Sequence, residues 1–170
     1  MKIYEKSEQK VLIRPLAIED AYTSYQWRND PEVWYYTGRE PDKYITPEIE
    51  VAWIKRAISE SSSNRYAIEV NDTYVGNIQI TDLSREERTG QYHIFIGDKS
   101  YWGKGVATLA SYQILVAARE TMNLDTVYLE VNPDHKAAIR IYEKLGFEMI
   151  NEAGRMILDL KTLKPPFLSV

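Results

Sequence analysis

The stretch Lys99–Ala110, KSYWGKGVATLA, limits the fold of this chain more than any other segment. Two glycines, Gly103 and Gly105, flank a lysine, and the small and apolar residues that follow can begin a helix. An apolar, strand-like segment, Tyr92–Ile96, comes just before them. A strand, a glycine turn and a helix start together point several backbone N–H groups and a helix dipole at one place. Such a place suits an anion, above all a phosphate.

The glycine spacing does not match the two common nucleotide-binding motifs. A P-loop has a four-residue spacer and ends in Gly-Lys-Ser/Thr, and both features are missing here. A dinucleotide fingerprint would have a third Gly or Ala where Thr108 stands. On physical grounds alone, a tight βα turn without a ligand explains the pattern equally well.

Hydrophobic periodicity and turn signals divide the chain into eleven elements. Thr46-Pro47-Glu48 combines a capping hydroxyl, a first-turn proline and an early acid, and so begins a helix. Asn71-Asp72 predicts a tight hairpin, and Gly146 is suited to end the last helix. Loops are predicted at 31–43 and 82–89. We predict strands at 11–16, 65–70, 73–81, 90–97, 126–131, 147–151 and 155–160, and helices at 18–28, 47–59, 106–120 and 136–145.

The resulting order, β-α-α-β-β-β-α-β-α-β-β, predicts a single domain of the α/β (α+β) class over residues 1–170. Antiparallel hairpin strands followed by βαβ units predict a mixed, mostly antiparallel central sheet with helices on both faces. Spacings of three and four residues place Ala21, Tyr22 and Tyr25 on one face of the first helix. The same spacings direct Ile54 and Ile58 of the second helix inward.

The composition narrows the class of protein and of site. The chain has no cysteine, which excludes disulfides, thiolate zinc sites, iron–sulfur clusters and a cysteine nucleophile. Only two histidines are present, His93 and His135, and no acid cluster completes a metal site, so no metal is expected. The net charge of −4 disfavours nucleic acid as a partner. No apolar run reaches the roughly 18–20 residues that span a membrane, and no signal peptide is evident, so we expect a cytoplasmic protein without a membrane partner.

Two segments, in order, carry a likeness to a known family: YWGKGVATLA and, further on, NPDHKAAIRIYEKLGFE at Asn132–Glu148. The first looks like the acyl-CoA signature of the GNAT superfamily of N-acetyltransferases, and the second resembles that family's last βα unit. The strands LIRPL and YVGNIQI extend the likeness over nearly the whole chain. The signature is most similar to the branch that acts on ribosomal-protein N-termini. The run WRNDPEV, Trp27–Val33, resembles members that acetylate amino groups on nucleotide-linked sugars.

The resemblance implies acetyl-CoA as co-substrate and divides the domain into a substrate half, about residues 11–64, and an acetyl-CoA half, about residues 90–160. In the family, the pyrophosphate lies on backbone N–H groups of the glycine turn, and the preceding strand pairs with the pantetheine arm through its main chain. Trp102 stands where the family has Arg or Gln. His135 stands where members commonly carry an Asn that contacts the pantetheine or the incoming amine. The implied cofactor-binding residues are Ile94, Ile96, Trp102, Gly103, Lys104, Gly105, Val106, Ala107, Thr108, Asn132 and His135.

The resemblance and acid–base chemistry together indicate the catalytic residues. Aminolysis of a thioester leaves a CoA thiolate, and the family's tyrosine, here Tyr142, is placed to protonate it. Many members carry a Glu on the strand before the glycine turn, but Gln91 stands at that position and cannot act as a base. His93 shares its face two residues on, and Glu130 lies on the next strand, so both are candidate bases. The amine can also arrive neutral, and a purely structural role is the alternative for Tyr142 and His93.

The substrate end is predicted where the first helix ends. In the superfamily, the loop between the first two helices overhangs the acceptor site. Aromatic walls there suit a sugar or uracil ring, and Arg28 or Arg39 can meet a phosphate. The alternative is that the tryptophans are core anchors and the arginines are solvated. The candidate substrate residues are Trp27, Arg28, Asn29, Trp34, Tyr35 and Gln91.

The residues and the resemblance together predict transfer of an acetyl group from acetyl-CoA to a primary amine by direct nucleophilic attack. The acceptor is expected to be a protein N-terminal amine or a nucleotide-linked amino sugar. Two alternatives stay open: acetylation of a polyamine or other small amine, and a non-catalytic acyl-CoA-binding module or sensor. The partner is therefore a small-molecule or peptide amine, and the chain is expected to be a monomer or a homodimer.

Overall fold

The computed structural model of this chain describes residues 4–6, 9–37 and 39–166, with the backbone alone described at 4–6 and 36. Its described residues form one sheet of eight strands and five α-helices. The strands are β1 (Tyr4–Lys6), β2 (Gln9–Pro15), β3 (Asn64–Val70), β4 (Thr73–Ser84), β5 (Thr89–Ile96), β6 (Thr126–Glu130), β7 (Glu148–Met149) and β8 (Arg155–Asp159). The helices are α1 (Ala21–Arg28), α2 (Pro31–Trp34), α3 (Pro47–Ser59), α4 (Val106–Glu120) and α5 (Lys136–Leu145).

The strand order across the sheet is β1-β2-β3-β4-β5-β6-β8-β7. Each neighbouring pair is antiparallel except β5 and β6, which α4 connects as a crossover. Asn71 and Asp72 take the left-handed φ values of 48° and 69° that a tight hairpin requires, and so join β3 to β4 as predicted. The predicted mixed, mostly antiparallel sheet between helices is confirmed.

The two faces of the sheet are covered differently. On the back face, defined as the side against α4 and α5, the isoleucines of β3 and β4 and Tyr92 of β5 pack into the main core. On the front face, defined as the side against α1 and α3, a smaller cluster forms around Leu16, Ile54 and Ala67. Trp27 of α1 also reaches Tyr74 of β4 and Phe95 of β5, but further along these two strands polar residues remain uncovered and line a cavity.

Most predicted strand ends differ from the observed ones by one or two residues, and three larger differences have a physical reason. The predicted loop 31–43 begins with α2, because Asp30 caps it through its carboxylate and Pro31 occupies its first turn. Strand β4 runs three residues further than predicted, to Ser84, with an irregularity in its pairing with β5 after Thr81. Strand β1, whose backbone pairs with β2, was not predicted because its three residues carry too short a pattern.

The buried faces of α1 and α3 also differ from the prediction. Tyr22 is 63% exposed, and α1 instead buries Ser24 and Trp27. Ile58 is 44% exposed, and α3 instead buries Glu50 beside Ile54. The reason is a polar contact between the helices: the Ser24 hydroxyl donates to Glu50 Oε1 over 2.8 Å, which turns both helices toward it.

None of the helices in residues 4–6, 9–37 and 39–166 is both long and apolar enough to cross a membrane. The longest helix, α4, has 15 residues, well short of the roughly 20 that a bilayer requires.

Candidate active site

The glycine turn places several free backbone donors at the start of α4. Gly103 and Gly105 have φ values of +72° and +81°, a conformation that glycine adopts without strain. Gly105 is the N-cap of α4, and its carbonyl accepts from Leu109 N over 3.2 Å. Within the described part of the chain, no N–H group of residues 103–108 donates to another group. These donors and the helix dipole make the turn fit the pyrophosphate of CoA.

Trp102 folds back onto the strand that precedes the turn. Its indole Nε1 donates to the carbonyl of Ile96 over 2.8 Å, so that carbonyl already has one partner. The ring is 44% exposed and, with Pro31, Glu32 and Tyr35, lines a surface cavity of about 350 Å³. Trp102 therefore shapes the approach to the turn, and the backbone of Ile94 remains the better placed candidate for pairing with pantetheine.

Strands β5 and β6 separate toward the glycine turn. They pair only at Thr89–Gln91 with Thr126–Tyr128, and the remaining residues of β5 have no partner on that side. Beyond its pairing with β5, β6 continues to Glu130 in register with β8 alone. The gap between β5 and β6 exposes main-chain groups of β5, to which an extended ligand can pair like an added strand.

Tyr142 lies on the back-face side of this gap. Its ring, only 8% exposed, packs edge-on against Tyr92 at 5.7 Å and against Phe147 at 5.9 Å between centroids. In the described residues the hydroxyl has no hydrogen-bond partner. It is also not among the polar atoms that are fully buried without a partner, so its oxygen keeps some accessible surface. Burial raises the pKa of Tyr142, so the phenol stays protonated at neutral pH. A protonated, reachable phenol is what a general acid requires.

The candidate bases lie on the opposite, front-face side. Gln91 and His93 alternate with buried Tyr92 on β5, and Tyr128 and Glu130 alternate with buried residues on β6. Glu130 is half-exposed and forms an ion pair with Arg155 over 2.8 Å. Tyr142 therefore packs on the back face of β5, through Tyr92, whereas Gln91 and His93 lie on its front face.

His93 has surroundings that favour its neutral form. Its Nε2 lies 3.0 Å from the Thr81 hydroxyl, with the donor set by the imidazole tautomer. Burial lowers the pKa of His93 from 6.5 to about 4, helped by the positive charges of Arg39 and Arg65 and opposed by Asp82. At neutral pH the ring is therefore uncharged, and one nitrogen can accept a proton.

The side chains of Asn132 and His135 accept hydrogen bonds from backbone N–H groups two and three residues further along the chain. Asn132 Oδ1 accepts from the backbone of Asp134 over 2.9 Å, which turns the chain after β6. His135 Nδ1 accepts from Ala138 N over 3.4 Å and so caps α5, and burial lowers the pKa of His135. Their contact with a ligand remains a prediction.

The predicted substrate residues have separate positions. Trp27 is only 8% exposed and packs against Gly97, where a Cβ would meet its ring at 1.9 Å. Asn29 bonds the backbone of Ile45 in both directions at 2.8 Å and so holds the following loop against α1. Arg28 donates to the buried Glu50 over 2.7 Å. The position of Trp27 fits the alternative of a core anchor, whereas Arg28 is ion-paired and not simply solvated. For all three residues a role in substrate binding remains a prediction.

The remaining substrate candidates are more accessible. Trp34 is half-buried at the end of α2, and Tyr35 is 65% exposed beside Trp102. Gln91 lies next to His93 in a cavity of about 280 Å³ on the front face. The structure therefore brings Gln91 and His93 together and leaves Tyr35 near the glycine turn.

The front-face cavity includes residues that sequence reasoning missed. Arg65, Gln79 and Thr81 line it from β3 and β4, and Trp53 lines it from α3. Arg65 and Gln79 are paired across β3–β4, and Gln79 is paired with His93 across β4–β5. The signal was the alternation of polar and apolar residues on both strands, which marks one polar face.

The family comparison agrees with this geometry. Residues 10–148 match the acetyltransferase (GNAT) domain family. The chain belongs to the GNAT acetyltransferase family. It is an acetyl-CoA-dependent N-acetyltransferase, and acetyl-CoA is its co-substrate.

Individual GNAT relatives give the next level of detail. The chain is 30% identical to a spermidine N(1)-acetyltransferase of Escherichia coli K12 over 86% of its own length and 77% of the relative's. It is 24% identical to an uncharacterized N-acetyltransferase p20 of Bacillus licheniformis, over 82% of this chain and 80% of that one. A crystal structure of Vibrio cholerae spermidine N-acetyltransferase with CoA and spermine matches with a TM-score of 0.79. The match has 20% identity and covers 89% of this chain and 96% of that chain.

Proposed function

We propose that the protein acetylates a small primary amine that enters the front-face cavity and attacks acetyl-CoA directly. The observation that supports this most is the gap between β5 and β6, with Tyr142 on the back face of β5 and Gln91 and His93 on its front face. An amine entering from the front face would meet a thioester held in the gap. The leaving sulfur would then face Tyr142. Holding both reactants in one cleft supplies the proximity term of catalysis.

The surroundings of Tyr142 and of His93 indicate which groups give and take protons in this reaction. Tyr142 donates its phenolic proton to the departing CoA thiolate as the carbon–sulfur bond breaks. The attacking nitrogen becomes strongly acidic once it bonds to the carbonyl carbon. The neutral imidazole of His93 is basic enough to take its proton at that stage, although its lowered pKa makes it a poor base for a free ammonium ion. The amine therefore enters uncharged, and Glu130 is the alternative acceptor.

We also propose a chemical class for the amine that accepts the acetyl group. The relatives named as spermidine acetyltransferases make a polyamine the first candidate. The carboxylates of Glu60 and Asp82 line the cavity and would meet the second ammonium group of such a substrate. The relatives whose names give a substrate are spermidine acetyltransferases and not the ribosomal-protein N-terminal or amino-sugar enzymes predicted from the sequence, so a peptide N-terminus and a nucleotide-linked amino sugar rank below a polyamine.

A panel of amines tests the proposal. Spermidine, glucosamine, a nucleotide-linked amino sugar and an alanine-starting peptide are each mixed with acetyl-CoA, and free CoA is followed with a thiol reagent. Because the chain has no cysteine, the reagent reports only the CoA released. We expect release that depends on one class of amine, with the acetylated product seen by mass spectrometry. Tight binding of acetyl-CoA without acetylation of any amine would instead support a non-catalytic acyl-CoA-binding module.

A further inference from the structure

The front-face cavity contains a buried cation with an unused donor. The Arg65 side chain is 11% exposed and lies on the cavity wall. Its Nη1 donates to Gln79 Oε1 over 2.6 Å and its Nη2 to Glu60 Oε2 over 3.2 Å. Its Nε is buried and has no acceptor anywhere in residues 9–37 and 39–166. A buried donor of a charged group is normally paired, and Nη1 and Nη2 each carry a second N–H for which no acceptor is found in the described residues, so the Arg65 guanidinium as a whole keeps spare bonding capacity.

Neighbouring side chains hold this guanidinium in place. The ring of Trp53 lies between Arg65 and Arg28, with 5.5 Å from its centroid to each guanidinium carbon. Arg28 is satisfied by the buried Glu50, whereas the partner of Arg65, Glu60, is half-exposed and lies further away. Arg65, which lines the cavity, is therefore the one of these two arginines with N–H donors that its partners do not use.

Two arginines, Arg39 and Arg65, and two carboxylates, Glu60 and Asp82, line the cavity, and at His93 the arginines have the larger effect. Arg39 and Arg65 both act on His93, and together with burial they outweigh the opposing charge of Asp82. A polycation would bring further positive charge to this point. An oxyanion would instead relieve it, because the planar fork of an arginine matches carboxylate and phosphate oxygens.

We propose that this cavity recognises an acceptor amine that also carries an oxyanion, a carboxylate or a phosphate, which binds the Arg65 guanidinium with Arg39 beside it. The inference rests on the proposed N-acetyl transfer and narrows its acceptor. The amine of the same molecule would lie toward Gln91 and His93, which share the cavity. A polyamine lacks the oxyanion, so the two acceptor classes are separable by experiment.

Matched amine pairs provide the first test. Phosphoethanolamine is compared with ethanolamine, glucosamine 6-phosphate with glucosamine, and β-alanine with its amide, with spermidine alongside. We expect the charged member of at least one pair to have a kcat/KM about 10- to 100-fold above its neutral partner, as a charged hydrogen bond supplies. The phosphate and carboxylate pairs tell which oxyanion is preferred. In Arg65→Gln the preference should vanish, while Arg56→Gln, an exposed arginine on α3, should keep it.

Direct binding provides a second readout that needs no turnover. Inorganic phosphate or acetate is titrated by calorimetry into protein saturated with CoA, so that the glycine turn is already filled. We expect binding by wild type and Arg56→Gln, and its loss in Arg65→Gln and in the exposed-site variant Arg39→Gln. If Arg65→Gln does not fold, the loss of anion binding in Arg39→Gln still tests the inference. The inference is overturned if neither anion binds, if Arg65→Gln binds as wild type does, or if spermidine is acetylated better than every anionic amine. The last result would leave N-acetyl transfer itself intact.

Discussion

Tyr142 combines two properties at the scale of a single residue. Its ring is packed between Tyr92 and Phe147, which fixes its direction, and its hydroxyl is left without a partner in the described chain. The burial that raises the pKa of its phenol also keeps the proton available for a leaving thiolate. Packing therefore fixes the ring and keeps the phenol protonated, but the same raised pKa makes it a weaker acid than a free tyrosine.

Replacing Tyr142 with Phe should lower kcat by about 10²-fold, the usual contribution of a general acid. The KM for acetyl-CoA should change little, because the hydroxyl acts on the departing sulfur and not on the bound ground state. Rates of CoA release over a range of acetyl-CoA concentrations measure both constants. Tyr66→Phe is the matched control, since that tyrosine is half-buried against the same core. An unchanged kcat in Tyr142→Phe would remove the residue from the reaction.

His93 should make stability depend on pH. Its folded-state pKa is about 4, below the ordinary 6.5, because burial and nearby arginines disfavour the imidazolium. Between these values the unfolded chain holds a proton that the folded chain lacks, so stability falls as the pH falls through this window. From about pH 7.5 to about pH 5.5 this residue should account for a loss of about 1 kcal/mol.

Urea unfolding of wild type and His93→Gln at both pH values measures that loss. Glutamine can still bond the Thr81 hydroxyl but cannot take up a proton. We expect the wild type to lose about 1 kcal/mol more than the variant on acidification. Equal losses would show that the imidazole is not held neutral by its surroundings.

The elements show why the sequence predicts some parts of the molecule better than others. Helix α5 was predicted at its observed bounds, because a strong apolar stripe and Gly146 mark it locally. The polar cavity was not found, because its geometry depends on a strand register. Counting from the Asn71-Asp72 turn would pair Arg65 with Ile78, on the wrong face. The irregularity between Ile68 and Glu69 shifts the register so that Arg65 faces Gln79.

Long-range polar contacts explain the errors in the helix faces. Periodicity assigns an apolar residue inward, but Glu50 is buried because Ser24 and Arg28 on another helix satisfy it. The position of Trp27 depends in the same way on Gly97, which is distant in sequence and leaves room for the ring. The glycine turn, in contrast, lies within one short segment, so the sequence predicted a turn between β5 and α4, and the binding of CoA by its N–H groups stays a prediction.

The start of α4 gives a prediction for an element. Ala107→Pro removes one backbone N–H from the first helical turn, where proline is tolerated. If this N–H bonds the pyrophosphate, CoA should bind about tenfold more weakly, as the loss of one charged hydrogen bond implies. Isothermal calorimetry with CoA measures the change. Glu48→Pro, at the equivalent position of α3, is the matched control and should bind CoA as wild type does. Undiminished binding by Ala107→Pro would exclude this donor.

The two halves of the molecule are joined by side chains as well as by the sheet. Gln113 of α4 is buried, and it donates to Val11 O over 2.8 Å and accepts from Ile13 N over 3.2 Å. Lys99, just before the glycine turn, pairs with Asp30 and Glu32 of the α1–α2 segment at 2.8 and 3.4 Å. Helix α4 and the glycine turn therefore contact the substrate half directly. This arrangement supports a single cooperative domain.

Binding of acetyl-CoA should consequently stabilise the whole chain as one unit. Three of the four tryptophans, Trp27, Trp34 and Trp53, lie in the substrate half, far in sequence from the glycine turn. At a ligand concentration of about 100 times Kd, the free energy of unfolding should rise by about 2.7 kcal/mol. Tryptophan fluorescence and circular dichroism should report this rise in the same single urea transition, and Ala107→Pro should show less of it at the same ligand concentration. A fluorescence transition that stays in place while the dichroism transition moves would mean that the halves unfold separately. The acceptor cavity would then form independently of the bound thioester. The protein would not hold the amine and the thioester in a fixed relative position, as direct attack requires.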